Sequence, residues 1–241
     1  MDQNVVSISL KSLVAPRWGS REEENRHNLG DGWDLAEQIA TLHLEAVKRI
    51  SPTTVGSPSR SDEATFLLAC HGLNLFMEIM VLIVRGLFDV SAHLMRGMMD
   101  ASSLVYACSY REDLADKYMT GDYKASEARK LLVADLRSQD AALAEDIDRQ
   151  LADDADAANN LSHVSSLHAD KLVAIESGRI TPFIWGSIDR EEARRQSRAA
   201  LYSEHWLLVP LKAFRGGAVG QTWIDQFDGL NNRLHKYIKS S

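Results

Sequence analysis

The sequence predicts an all-α protein, folded as a multi-helix bundle of seven or eight mostly antiparallel helices. Apolar residues recur every three or four positions in most segments, which is the spacing of an amphipathic helix. Only 5 Pro and 14 Gly occur in 241 residues, which argues against a β protein with many turns. Short connections between helical segments favour antiparallel neighbours. We expect an irregular N-terminal segment over residues 1–30 and a single helical domain over residues 31–241.

The first three helices are predicted from their apolar spacing and from the breaks between them. A helical face begins near Asp31 and ends before the Ser- and Pro-rich stretch "SPTTVGSPS". Ser61 is the expected N-cap of the next helix, since two acidic residues that suit the helix dipole follow it. Gly86 is a plausible stop and Asp89 a plausible N-cap. The pattern therefore predicts two antiparallel helices, roughly 62–85 and 89–109.

The second half of the chain is predicted to be helical with one interruption. A helix over about 111–137 is disturbed at "MTGDY", and an acidic helix over about 140–158 has a solvated surface. The stretch "SGRITPFIWGSID" is expected to be a loop or a short extended segment. Asp189 should cap a helix that runs to about Phe214 and is kinked or restarted at Pro210. After a break at "RGGAVG", a last helix covers about 221–238.

Charge and composition indicate a soluble cytoplasmic protein. The chain is 45% hydrophobic and 25% charged, values that are usual for globular domains. Its net charge of -7 does not indicate nucleic acid as a partner, although total charge leaves a local basic patch open. Cys70 and Cys108 are expected to be buried reduced thiols, because two distant cysteines make neither a disulfide framework nor a zinc site.

We expect no membrane partner. The N-terminal "MDQNVVSISLKSLV" lacks the basic region and apolar core of a signal peptide. The most apolar stretches, 64–77 and 79–84, are separated by Glu78, and we interpret them as a helix buried in protein.

A narrow polar stripe runs along the predicted helix "DVSAHLMRGMMDASSL", and its members are Asp89, His93, Arg96, Asp100 and Ser103. The stripe spans only about 80° of the helix, so we expect neighbouring protein on most sides. Two interpretations stay open. Asp89–His93 and Arg96–Asp100 are pairs four residues apart that can neutralise each other without any chemistry, or the stripe faces an inward site. The preceding helix has a similar seam of His71, Asn74, Glu78 and Arg85, which either meets the stripe or faces water.

The segments "AHLMRGMMDASSLVYACSYREDLADKYMTGDYKASEARKLL" and "LSHVSSLHAD" resemble DUF5677, a family of uncharacterised bacterial helical proteins, over roughly residues 62–170. The family pattern is an Arg, an acid four residues later, an aromatic residue in the next helix and a late His. In this chain the matching residues are Arg96, Asp100, Tyr118 and His168, with His163 as a competitor for the His. The resemblance implies a helical bundle in which Arg96, Asp100 and His168 converge. It implies no established activity.

An RNase is the alternative function. Small helical bundles of the HEPN type use an Arg followed, after four to six residues, by a His. Arg21 with His27 and Arg198 with His205 have this arrangement, which also arises by chance in a chain of this composition. Arg198 and His205 lie on one helix face, and an RNase needs a His to move protons and an Arg to stabilise phosphate charge. This alternative includes other hydrolases, and phage defence as a role.

The remaining motifs favour a binding module. We expect no metal and no cofactor, because HExxH, a Walker loop, GxGxxG and GxSxG are all missing from the sequence. Trp185, Trp206 and Trp223 are expected in the core or in a dimer contact. The helices carry surplus apolar surface and no complete catalytic motif. The preferred hypothesis is therefore a binding or interaction module that homodimerises and carries a polar Arg/Asp/His cluster.

Overall fold

The protein is described by a computed structural model over residues 22–52, 57–142, 144–145, 148–149, 152, 173–176, 179–182 and 190–239. Eight continuous helices form the fold in this part of the chain, so the predicted all-α multi-helix bundle is confirmed. They are α1 (22–29), α2 (Asp31–Ile50), α3 (Arg60–Val84), α4 (Phe88–Tyr110), α5 (Glu112–Thr120), α6 (Ala125–Gln139), α7 (Arg190–Val219) and α8 (Gln221–Lys239). A short hairpin pairs β1 (Val173–Glu176) with β2 (Arg179–Pro182) in antiparallel register. Strand β2 lies within the segment that we expected to be a loop or a short extended stretch, and β1 lies before it.

Helix α7 lies at the centre of the bundle. It packs against α2, α3, α4 and α8, while α5 and α6 cover the other side of the α3–α4 pair. The largest fully buried side chains include Trp223, Phe76 and Leu207, which come from three different helices. The indole Nε1 of Trp223 donates a hydrogen bond of 2.8 Å to the carbonyl of Leu42, which satisfies its one polar group inside the core.

The predicted division into α3 and α4 is confirmed, but the capping residues differ. Gly86 adopts a φ of 72°, which allows the sharp turn between the two helices. Ser59, not Ser61, caps α3 through a reciprocal pair of hydrogen bonds with Asp62. Ser61 lies inside the first turn and donates its hydroxyl to the carbonyl of Cys108 on α4. Helix α4 begins at Phe88, one residue before the N-cap that we expected.

Residues 22–29, at the end of the segment that we expected to be irregular, form the helix α1. Leu29 is fully buried, and the Asn25 amide donates 2.9 Å to the Val84 carbonyl in the last turn of α3. Glu22 also lies 2.8 Å from Arg85. The residues contacted by α1 lie about sixty positions later in the sequence. These contacts stabilise α1, and they cannot be seen in its local sequence pattern. Residues 1–21 lie outside the described residues.

The predicted disturbance at "MTGDY" is a complete break. Gly121 adopts a φ of 83° and ends α5 with a left-handed cap, and α6 begins four residues later at Ala125. The acidic helix expected over 140–158 falls mostly outside the described residues, as does Asp189, the residue that we expected to cap α7.

Helix α7 is longer than predicted and continues through Pro210 to Val219. An internal Pro costs a helix about 3 kcal/mol. Here Leu207, Leu208 and Leu211, all fully buried, surround Pro210 and hold the helix against its neighbours. The expected break at "RGGAVG" is reduced to its last residue, Gly220, whose φ is 81°. The last helix, α8, occupies the predicted range.

Candidate functional site

The polar stripe of α4 faces protein only in its C-terminal half. His93 is exposed and Arg96 is half-buried, whereas the hydroxyl of the buried Ser103 donates 3.1 Å to the Met99 carbonyl. Asp100 Oδ1 lies 3.6 Å from Nε of Arg129 on α6. The sequence left open a pairing of Asp100 with Arg96 along the helix, and the structure shows an ion pair of Asp100 that crosses to another helix. Spacing within one helix cannot show a partner of this kind.

The Asp100–Arg129 pair is incompletely satisfied. Its separation of 3.6 Å is too long for a hydrogen bond, and Asp100 Oδ1 and Arg129 Nε are both buried without a hydrogen-bond partner in the described part of the chain. A buried polar atom without a hydrogen-bond partner is costly, so this contact between α4 and α6 is incompletely stabilised.

The other residues of the expected cluster are only partly described. Tyr118 is half-buried on α5 and packs against the main core, and burial, with a smaller effect of Cys108, raises its pKa. His163 and His168 lie outside the described residues, as does their expected convergence with Arg96 and Asp100. The fully buried Cys108 has its pKa raised to about 12 by burial, and Cys70 is half-buried.

Arg198 and His205 lie on the same helix, α7, as the alternative hypothesis requires. The His205 ring is 7% exposed and stacks on Phe227 at 5.4 Å and 3°. Burial, with smaller effects of His235 and Lys212, lowers the pKa of His205 to about 4. The His205 imidazole is therefore neutral at pH 7. Arg198 is half-buried, with its guanidinium carbon 5.5 Å from the centre of the Tyr237 ring.

The sequence analysis missed a buried imidazole–carboxylate pair. His43 of α2 and Glu204 of α7 are both 0% exposed, and His43 Nδ1 bonds to Glu204 Oε1. Their outer atoms, His43 Nε2 and Glu204 Oε2, have no hydrogen-bond partner in the described residues. The signal was present, because His43 falls on the apolar face of its helix and Glu204 stands among core positions of α7. Complete burial indicates that this pair holds α2 to α7 and does not contact a substrate.

A further surface was not singled out from sequence. Along one side of α3, Leu67, Met77 and Val81 are 49%, 54% and 43% exposed. Of the predicted polar seam, Arg85 is half-buried and pairs with Glu22 of α1, whereas His71, Asn74 and Glu78 are exposed and lie among these apolar side chains. We call these six exposed residues the α3 face. By length and composition α3 could also cross a membrane, but half of its apolar window is buried against protein, so this is weak evidence.

An open groove of about 640 Å³ between α2 and α8 is lined by acidic and polar side chains, among them Asp34, Glu37 and Arg233. Its chemistry suits a cation, but none of the buried polar atoms without a partner belongs to a residue that lines it. In the described residues no group of three His, Cys, Asp or Glu side chains is placed to hold a metal ion.

Comparisons with protein-family models, with curated proteins and with solved structures find no match for this chain.

Proposed function

We propose that the chain is a binding or interaction module that works as a homodimer, and that the α3 face joins the two copies. The observation that carries this proposal is the row of large apolar side chains, Leu67, Met77 and Val81, exposed along one helix. Single exposed apolar residues are common on soluble proteins, but three large ones on the same side of one helix favour an interaction surface. Burial of these three side chains supplies the free energy for association.

A second copy of the chain is the occupant that the chemistry of the face favours. Its polar members include an acid, Glu78, and a base, His71, on the same surface. A surface that carries both partners of a polar contact can satisfy them against its own copy across a two-fold axis. From Leu67 to Val81 the face is roughly 21 Å long. A contact of this length belongs to the small class of interfaces, so we expect a dissociation constant of about 1–10 micromolar.

Sedimentation velocity over a concentration series from about 1 to about 100 micromolar tests this proposal. The wild-type chain should shift from monomer to dimer across the series. Met77→Glu should remain a monomer, because it introduces a charge beside the apolar side chains of the α3 face. Leu44→Glu is the matched control, since Leu44 is 43% exposed on α2, away from the α3 face, and this variant should dimerise like wild type. A wild-type monomer throughout, or equal loss of the dimer in both variants, would contradict the proposal.

A lipid surface is the competing occupant. Flotation of the wild-type chain with vesicles of neutral and anionic lipids separates the two possibilities. The homodimer proposal expects the protein to remain in the unbound fraction with both vesicle types. A monomer that floats with vesicles, and loses flotation in Met77→Glu, would replace the dimer by a membrane contact.

The ligand-binding part of the module is proposed at the polar stripe of α4. Asp100 and Arg129 support it, because each has a buried polar atom without a hydrogen-bond partner in the described residues, and the two side chains form only a long ion pair with each other. The resemblance to the DUF5677 family adds Arg96, Tyr118 and either His168 or His163 to the proposed ligand-binding residues. A cytoplasmic location agrees with the reduced cysteines expected from the sequence.

An RNase is retained as the second candidate because of one contact. The ring of the exposed His235 lies 5.7 Å from the ring of His205, on whose helix Arg198 also lies. Two imidazoles and a guanidinium are the groups that acid–base cleavage of RNA uses. RNA cleavage by the purified chain should then be lost in Arg198→Ala and in His235→Ala, with the fold checked by circular dichroism. Equal cleavage in all variants, or no cleavage by the wild-type chain, removes this candidate. If cleavage is lost instead in Arg96→Ala and His168→Ala, the proposed site moves to the polar stripe of α4.

A further inference from the structure

We propose that the two copies pair through their α3 faces in antiparallel orientation, about a two-fold axis at Asn74. This inference rests on the homodimer proposed above and specifies its geometry. It follows from the positions of the exposed residues around α3 and from the charges that each orientation brings together.

The α3 face has a centre and two chemically different flanks. Since each residue turns a helix by about 100°, Leu67 and Val81 lie within roughly 20° of Asn74 and form the central line. His71 and Glu78 lie on one flank, about 40–60° from that line, and both are exposed. Met77, exposed, and Cys70, half-buried, lie on the other flank. One flank is therefore polar and the other apolar.

Antiparallel pairing matches each flank with itself. Leu67 and Val81 are equally far from Asn74 along the helix, so an axis at Asn74 places Leu67 of one copy against Val81 of the other. On the polar flank, the positions of His71 of one copy and Glu78 of the second copy along the helix axis differ by only one residue. On the apolar flank, Met77 stands in the same way beside Cys70 of the second copy. Each contact occurs twice because the axis is two-fold.

Parallel pairing brings unlike flanks together. A two-fold axis parallel to the helices turns the polar flank of one copy against the apolar flank of the other, so Glu78 lies beside Met77 of the second copy and His71 beside Cys70. Covering a polar side chain with an apolar one removes its water without supplying a partner, which disfavours association. The antiparallel arrangement instead gives each Glu78 a base as its neighbour. The matching of polar with polar and apolar with apolar flanks thus selects the antiparallel orientation.

Disulfide cross-linking tests the register. In a Cys70→Ala background, Asn74→Cys should give a disulfide-linked dimer under mild oxidation, because the axis brings the two copies of this position together. Leu67→Cys alone should give little dimer, whereas a mixture of Leu67→Cys and Val81→Cys chains should form the mixed dimer. Cys108 can remain in every variant, since it is buried and its pKa is raised to about 12. Cross-linking of Leu67→Cys to itself, with no gain in the mixture, would overturn the register in favour of parallel pairing.

Charge exchange provides an independent test of the polar flank. Glu78→Arg and His71→Glu should each weaken the dimer about tenfold, because each substitution changes two symmetry-related contacts. The double variant should recover most of the wild-type affinity only if the pairing is antiparallel. If sedimentation shows a dimer but the double variant stays as weak as the singles, the orientation is wrong and the dimer stands. If sedimentation shows only monomer and no variant cross-links, the homodimer itself is wrong.

Discussion

The buried pair of His43 and Glu204 is a residue-scale contact that joins α2 to α7 inside the bundle. Both side chains are fully buried, and each supplies the hydrogen-bond partner of the other. Removing one partner leaves the other buried and uncompensated, whereas replacing both by apolar side chains removes the problem. The sequence placed His43 on an apolar face, but it could not show that the partner comes from a helix about 160 residues later.

His43→Leu and Glu204→Leu should each lower the free energy of unfolding by about 3–5 kcal/mol. The double variant should be within about 1 kcal/mol of wild type or more stable, because the two leucines pack together. Urea denaturation of the four proteins measures this cycle. Arg60→Ala is the control, since the exposed Arg60–Glu63 pair should contribute less than about 1 kcal/mol. Additive losses in the double variant would show that the two residues do not stabilise each other.

His205 makes stability depend on pH. Its pKa falls from the ordinary 6.5 in the unfolded chain to about 4 in the folded chain, chiefly because it is buried. Between these values the unfolded chain binds a proton that the folded chain does not, so the stabilising contribution is present above pH 6.5 and is lost as the pH falls towards 4. The loss is about 1.4 kcal/mol for each pH unit, and at most about 3 kcal/mol in total.

His205→Phe should remove this part of the pH dependence, while the stack on Phe227 is kept. Urea denaturation at several values between pH 7 and pH 4 compares the two proteins, and the stability of wild type relative to the variant should fall as the pH falls. Parallel curves for the two proteins would show that His205 is not protected from protonation by the fold.

Residue identity alone predicted some local features and not others. Gly86 was expected at the turn between α3 and α4 because glycine tolerates a positive φ, and the structure confirms it. The ion pair of Asp100 with Arg129 was not predicted, because it depends on how α6 packs against α4. Local conformational preferences can be seen in a sequence, but partners from distant segments cannot.

At the scale of the helix, Gly72 allows α3 to approach α7 closely. A Cβ atom added at Gly72 would overlap Cδ1 of Leu207, which is fully buried. Gly229, in the middle of α8, has no atom within 4 Å of the same position. The two glycines therefore have opposite roles, although both lie inside helices.

Gly72→Ala should lower the free energy of unfolding by about 1–3 kcal/mol through overpacking. Gly229→Ala should raise it by about 0.5–1 kcal/mol, because alanine is the better helix former. Thermal denaturation of both variants checks the contrast. A stabilised Gly72→Ala would mean that α3 and α7 are less closely packed than described.

Helix boundaries were predicted well where punctuation is local. The predicted ranges of α2, α3, α4 and α8 agree with the structure to within about two residues. At α1 and α7 the structure differs from the predicted helix boundaries, and the cause is tertiary packing. Helix α1 is stabilised by contacts with α3, and α7 continues through Pro210 because core leucines hold it in place.

At the scale of the whole molecule, periodicity predicted the all-α bundle but not its arrangement. Nothing in the spacing of apolar residues indicated that α7 would occupy the centre or that one side of α3 would remain exposed. Surplus apolar surface was expected from composition, and its location on α3 became visible only when the other helices were in place. The location matters because it makes the homodimer testable at named residues.

Oxidative footprinting of the methionines tests the central claim, that the α3 face is covered by a second copy. Met77 is 54% exposed within the α3 face, and Met119, 37% exposed on α5, lies away from it and serves as the internal control. The rate of oxidation to the sulfoxide follows exposure, and mass spectrometry measures it at each site. We predict that the Met77 rate falls as the protein concentration rises through the micromolar range while the Met119 rate stays constant. Rates that stay constant at both methionines, or fall equally at both, would contradict dimerisation through α3.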